Sequence, residues 1–245
     1  MLRLFTVLAA VLAVCTPSFG ITADDVLSSL DHNRTFGTER FHATMTVSKG
    51  QKVSVKDFTG YGQSEGNKFF MEFRNPEDKG VKYLRLDNDL WIYMPDADDT
   101  LKISGHMLRQ GMMGSDLSYE DLLSGSSWRK QYAPRITGTT NIGGADCTML
   151  ELTAIDDSAS YYRRVCAVDT SRNVAPLLEF YAKSGRLLKR MTQEDFRQIG
   201  SRTVAFRFSV SDLTRGDSRT VIEFTELRMD ESIPADMFSK QNLRK

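Results

Sequence analysis

Residues 111–122 read GMMGSDLSYEDL, two methionines between glycines and then an acidic, serine-rich run, in a chain whose flanks alternate as strands do. The run carries a helix start. Ser118 and Asp121 have the spacing of a capping box, and Asp116 and Glu120 suit the positive end of a helix. Tyr119, Leu122 and Leu123 fall on one face, and Gly125 is placed to stop the helix. The stretch predicts a Met-Met-Gly hinge leading into a short amphipathic helix set between strands. A curled sheet with one apolar face needs a cover, and an inserted helix is such a cover. Methionines adapt to variable apolar contents there, although periodicity alone leaves open that Met112 and Met113 simply fill gaps in a solid core.

Outward from this stretch the periodicity is two. Thr22 to His32 is the exception, a predicted helix capped by Thr22 and Asp25, with Val26, Leu27 and Leu30 on one face. Phe41, Ala43, Met45 and Val47 share one side of a first strand ended by Gly50. Val53–Tyr61 is predicted as a second, closed by Gly60 and Gly62, and Lys68–Arg74 as a third. Val81–Leu86 and Leu90–Met94 flank a tight turn at Asp87-Asn88-Asp89. Strands resume near Arg135, with turns at Gly143-Gly144, Asp156-Asp157, Ser184-Gly185 and Arg215-Gly216-Asp217. Val204–Val210 alternates most cleanly and is expected to pair with Thr220–Phe224. About ten or eleven strands in consecutive hairpins make an antiparallel meander, and one this long curls toward a barrel or half-barrel.

In that curl, Phe69, Met71 and Phe73 share a face, Leu84 and Leu86 share one on the next strand, and Leu90, Ile92 and Met94 on the one after. Turned inward together they form an uncharged wall, the expected cavity, while Trp91 and Tyr93 point the other way. Met112, Met113, Leu117, Tyr119 and Leu122 are the expected lid. A hairpin turning symmetrically about Asp156-Asp157 sets Cys147 directly opposite Cys166, which predicts a cross-strand disulfide.

Composition narrows the function. The chain has 245 residues, 40% of them hydrophobic, enough for a sizeable core. Lys plus Arg equals Asp plus Glu at 32 each, which argues against a nucleic-acid partner, since phosphate binding needs a basic surplus. The first twenty residues have Arg3, an apolar run from Leu4 to Val14 and a small-residue site ending at Gly20. This is the pattern of a secretory signal, so residues 1–20 are read as a signal peptide, residues 21–245 as one domain, and the mature protein as exported. Leu12-Ala13-Val14-Cys15 approaches a lipobox, but Val14 stands where a small residue is usual; cleavage after Gly20 is the expectation and an acyl anchor on Cys15 the alternative.

Chemistry is not signalled. His32, His42 and His106 are scattered, with neither metal-ligand spacing nor a nucleophile motif, so no enzyme, metal or cofactor is expected. Asp96, Asp98 and Asp99 read as a solvated turn, and Arg215-Gly216-Asp217-Ser218 as an ordinary hairpin.

Several stretches taken together resemble the LolA-type periplasmic lipoprotein carriers and the broader group of outer-membrane lipoprotein-sorting proteins. They are Phe41-His42-Ala43, Asn75-Pro76, Asp89-Leu90-Trp91-Ile92-Tyr93-Met94-Pro95 and Gly114 to Leu122, with Tyr181–Gly185 and Pro234–Phe238 matching late elements. The resemblance is strongest over residues 36–130. It implies an unclosed antiparallel barrel, covered by helices, that encloses a hydrophobic cavity for the acyl chains of lipoproteins or other lipids. It also implies a periplasmic setting, with an inner-membrane transporter as donor and an outer-membrane acceptor. One departure is plain: these carriers latch the lid with an Arg just before the third strand, and Ser64-Glu65-Gly66-Asn67 has none. The reading in a different class is an accessory interaction protein of an export or RND-type transport complex, whose barrel has a solid core.

Overall fold

A computed structural model describes residues 20–124 and 127–245. The expected signal segment with Cys15 lies outside the described residues except for Gly20, as does the helix stop expected at Gly125. The first helix, α1 (Ala23–Arg34), starts as its sequence dictates. Thr22 Oγ1 accepts from the Asp25 amide at 3.1 Å, and the Asp25 carboxylate accepts from the Thr22 amide at 3.1 Å. Val26, Leu27 and Leu30 are buried beneath it.

Thirteen strands follow, more than the alternation alone separated. The first six are β1 (Thr38–Lys49), β2 (Lys52–Gln63), β3 (Lys68–Phe73), β4 (Lys82–Leu86), β5 (Asp89–Met94) and β6 (Asp99–Ile103). After the covering segment come β7 (Tyr132–Ile142), β8 (Ala145–Ala154), β9 (Arg163–Asp169), β10 (Val174–Tyr181), β11 (Leu187–Ile199), β12 (Arg202–Asp212) and β13 (Ser218–Met229). All pair antiparallel in the order β6-β5-β4-β3-β2-β1-β13-β12-β11-β10-β9-β8-β7. Two meanders are thus joined where β1 pairs with β13, and β6 and β7 remain as edges. The sheet is an unclosed barrel, as expected. Pro134 sits on the β7 edge, where a missing backbone donor disrupts no ladder.

Gly60 and Gly62 do not end β2 but lie within it. A Cβ on Gly60 would come within 2.3 Å of the Phe41 ring, and one on Gly62 within 2.5 Å of the Glu39 carboxylate. These glycines make room for neighbouring side chains on β1.

The apolar residues gather in three clusters. The inner face of the first meander buries Ala43, Met45, Phe58, Met71, Phe73, Tyr83, Leu90 and Ile92. The second meander packs Leu150, Leu152, Cys166, Leu178 and Phe180 against α1 and Trp128. On the outer face of the first meander, Phe70, Leu84 and Trp91 pack with Leu243 of a C-terminal turn of helix, α3 (Lys240–Leu243). Leu84 and Leu86 therefore face outward, a correction to the inward face expected of them. Met71 lies opposite Tyr83, which lies opposite Ile92, so Tyr83 takes the inner position and Leu84 aligns with Phe70 and Trp91.

The disulfide expectation is also overturned. The β8–β9 connection is a loop centred on Ser158, not a tight turn at Asp156-Asp157, with Asp156 accepting from the Ser158 amide at 2.8 Å. Cys166 then lies opposite Leu150, and both cysteines are free thiols.

Candidate functional site: a cavity between two covers

The residues between β6 and β7 form the cover. Gln110 to Leu123 fold as a 3-10 turn over Met112–Gly114 and a single helical turn, α2 (Tyr119–Leu123). Ser118 Oγ accepts from the Asp121 amide at 3.3 Å and the Asp121 carboxylate accepts from the Ser118 amide at 2.7 Å, the box expected from the sequence. Met113 takes a left-handed conformation (φ 51°), which reverses the chain. Met112 is buried, and Met113, Tyr119 and Leu122 pack on the inner face of the first meander. Phe69, Met71, Phe73, Leu90, Ile92 and Met94 pack with these residues, and none of them lines the cavity found one step along the sheet.

The open space lies one step along the sheet. A cavity of about 430 Å³ sits between β9–β13, the C-terminal end of α1 and the near side of the cover. Its wall is mainly apolar, with Leu178, Met191, Val204, Phe208, Val210, Ile222 and Phe224 from the sheet and Leu30 and Trp128 from above. Of the lid residues expected from sequence, only Leu117 borders it; Asp121 and Ser124 join it there. This cavity lies away from the wall expected from the sequence, whose residues pack with the methionines of the hinge. Its charged neighbours, Arg34, Glu39 and Arg164, gave no sequence signal, since each is a lone charge in an otherwise ordinary strand or helix.

The cover is held by polar contacts from both meanders. Arg85, buried on the inner face of β4, donates from Nη1 to the Leu122 carbonyl and from Nη2 to the Leu123 carbonyl, each at 2.8 Å, and from Nε to the Asp87 carbonyl at 2.7 Å. These are the carbonyls a helix leaves unpaired at its C-terminal end. A lid latch exists, then, on β4, opposite the start of β3 rather than just before it. From the second meander, Lys189 Nζ reaches the Asp121 carboxylate at 2.5 Å, and Tyr161 donates its hydroxyl to the same group at 2.5 Å. Burial alone would raise the Asp121 carboxyl, but the Lys189 ammonium and these hydrogen bonds outweigh it and hold the group below its usual range. Buried Asp116 accepts from Thr220 Oγ1 at 2.7 Å and Ser218 Oγ at 3.1 Å. Arg215, in the β12–β13 hairpin, donates to the carbonyls of Ser115 and Arg109, both at 3.1 Å. A Cβ at Gly111 would fall 2.1 Å from the Ser115 carbonyl oxygen, so this bend requires glycine.

Among the described residues no group of three or more His, Cys, Asp or Glu side chains is placed to hold a metal ion. Asn33 is committed to pinning α1, donating to the carbonyls of Asn173 (3.0 Å) and Thr203 (2.8 Å).

An unclosed antiparallel half-barrel, covered by short helices over an internal cavity, defines the LolA-type fold, and the resemblance read from the sequence holds at that level. A LolA superfamily protein from Nitrosomonas europaea superposes with a TM-score of 0.74 at 21% identity, over 91% of this chain and 100% of that one. A domain from Vibrio parahaemolyticus, named for outer membrane lipoprotein sorting, gives 0.80 at 22% identity over 91% and 100%. A DUF1329 family protein from Desulfovibrio piger gives 0.83 at 26% identity over 89% and 96%. The chain belongs to the family described as "Uncharacterized protein", whose model matches residues 65–245. No curated protein matches the sequence.

Proposed function

We propose that residues 21–245 form a non-enzymatic carrier of amphiphiles, which shields the acyl chain of a lipoprotein or another lipid as it crosses the periplasm. The observation that supports this most is the cavity, a largely apolar space of about 430 Å³ whose cover is tied down by an ion pair and hydrogen bonds. That volume lies within the range of about 300–1,000 Å³ usual for small-ligand sites. Burying a chain there would contribute on the order of 0.8 kcal/mol per methylene. The names of the Vibrio and Nitrosomonas relatives accord with this role. An inner-membrane transporter would load the carrier and an outer-membrane acceptor would unload it.

The packed face under Met112 favours a second reading, a solid-core docking protein of an export complex. Native mass spectrometry of protein purified without detergent separates the two, because a carrier brings lipid with it. A fluorescent fatty-acid probe should bind the wild type and bind Val204→Phe, which narrows the cavity, at least about tenfold more weakly. Ile92→Glu should instead destabilise the protein, since Ile92 is packed and a glutamate there meets no water. Absence of both co-purified lipid and probe binding would leave the docking reading.

A further inference from the structure

Two arginines border the cavity in surroundings that supply them with little anionic charge. Arg164, on β9, is 2% exposed and makes no ion pair among the described residues, and its buried Nε has no hydrogen-bond partner among them. Its guanidinium lies among aromatic rings, 4.7 Å from the centroids of both Trp128 and Tyr132 and 5.5 Å from that of Phe180. Arg34, in the last turn of α1, stacks on the same Trp128 ring at 3.8 Å, and its Nη1 is likewise buried without a hydrogen-bond partner. Its one carboxylate neighbour, Asp31, stands 3.9 Å away and is taken up by the amides of Trp128 (3.1 Å) and Arg129 (3.0 Å) and the Ser127 hydroxyl (3.0 Å). The Arg34 side chain is 33% exposed, and its partial burial lowers the guanidinium to about 10, so it remains cationic at neutral pH.

Aromatic faces stabilise a guanidinium, but less than a paired anion does. A buried charge without an anion carries an unreturned desolvation cost, and two like charges beside one ring add to it. Stacking alone leaves the two cations under-compensated, and both arginines line the cavity. The other charged pair at the cavity, Asp121 with Lys189, is internally neutral. Glu39, the remaining carboxyl on the wall, stands on β1. Five strand-to-strand steps separate β9 from β1, about 24 Å along the curved sheet.

The geometry points to an anion subsite formed by Arg34 and Arg164 at the α1 end of the cavity, and to a ligand that is a single-chain amphiphile with a carboxylate or phosphate head. The head lies against the two guanidinium groups beside Trp128. The chain runs over the apolar wall of β11–β13, past Met191, Phe208, Val210, Ile222 and Phe224. This inference rests on the carrier reading and narrows its cargo.

The test uses Trp128 as reporter. The chain has two tryptophans, and Trp91 lies on the outer face, so Trp91→Phe leaves Trp128 as the only indole. Dodecanoate, dodecyl phosphate, neutral monododecanoylglycerol and inorganic phosphate are titrated below micelle formation while Trp128 emission is followed. Charge-assisted hydrogen bonds predict that the two anionic amphiphiles bind about tenfold or more tighter than the neutral one. Arg34→Gln and Arg164→Gln should each reduce that preference several-fold, weakening the anionic amphiphiles more than the neutral one. Inorganic phosphate should give no saturable response at comparable concentrations. Equal affinity for charged and neutral chains, or a preference unchanged in the variants, overturns the subsite. Phosphate binding as tightly as dodecyl phosphate overturns the amphiphile and leaves a small-anion site. If no chain ligand binds at all, the carrier reading fails first and the inference with it. Should Arg164→Gln not fold, the wild-type preference and Arg34→Gln decide.

Discussion

Glu39 lines the cavity and is half-buried, with its carboxylate lying over Gly62 of β2. Burial, with no compensating charge, pushes it up from 4.5 to about 7. The sign follows from which state holds the proton. Below about pH 4.5 both folded and unfolded chains are protonated and the group's contribution to stability is fully present. As pH rises the unfolded chain ionises first, so stability falls until the folded group ionises near pH 7 and is then level. Glu39→Gln removes this dependence. Urea melts should find the variant equal to wild type at pH 4 and more stable at pH 8 by about 1–3 kcal/mol. A difference that is the same at both pH values would show that Glu39 meets water after all.

At the scale of elements, the cover is the informative piece. Its one-turn helix is too short to persist alone, so its place depends on its ties to the sheet. Arg85→Met keeps the length of the side chain but leaves the Leu122 and Leu123 carbonyls without their donor. Stability should fall by about 2–3 kcal/mol, and amide exchange should rise over residues 111–124 before it rises in the sheet. Uniform exchange across the chain would mean that the cover and the sheet open together. Much of this element was legible in the sequence, because a capping box is a local code: Ser118 with Asp121, like Thr22 with Asp25, needs nothing beyond four residues. What lies beneath it was not. β4 is buried on both faces, and its Leu84 and Leu86 read as the inward pair only while Tyr83 and Arg85 read as polar. The face was set by the parity of the loop Arg74–Val81, where a 3-10 turn at Pro76–Asp78 and a positive φ at Gly80 fix the register. Arg85 was missed for the same reason: its partners lie 37 and 38 residues away and are backbone carbonyls, which have no sequence signature.

For the whole molecule, the two thiols report on the register of the second meander. Cys166 is fully buried in the core against α1, and burial pushes its thiol up to about 12; burial also raises Cys147. A thiol so far from ionising is a poor nucleophile. Unreduced protein unfolded in urea should therefore yield both thiols to an alkylating reagent, whereas the folded protein should label each slowly, with Cys166 limited by global opening. Finding no free thiol in the unfolded, unreduced protein would restore the disulfide and require β8 and β9 to shift by three residues.

The seam between β1 and β13 sets the order of folding. His42 lies opposite Glu226 across it, and the later strands are added outward from β13 in reverse order of the chain. Contacts between residues so distant in sequence give a high contact order, and loop-closure entropy makes such pairing slow. Until Ser218–Met229 arrives, the inner face around Phe41 and the free edge of β1 stay open, and an open strand edge is a template for aggregation. A chain made N-terminus first thus keeps this edge uncovered until Ser218–Met229 has been added. Its folding yield should depend more on what shields β1 during that interval than on the stability finally reached.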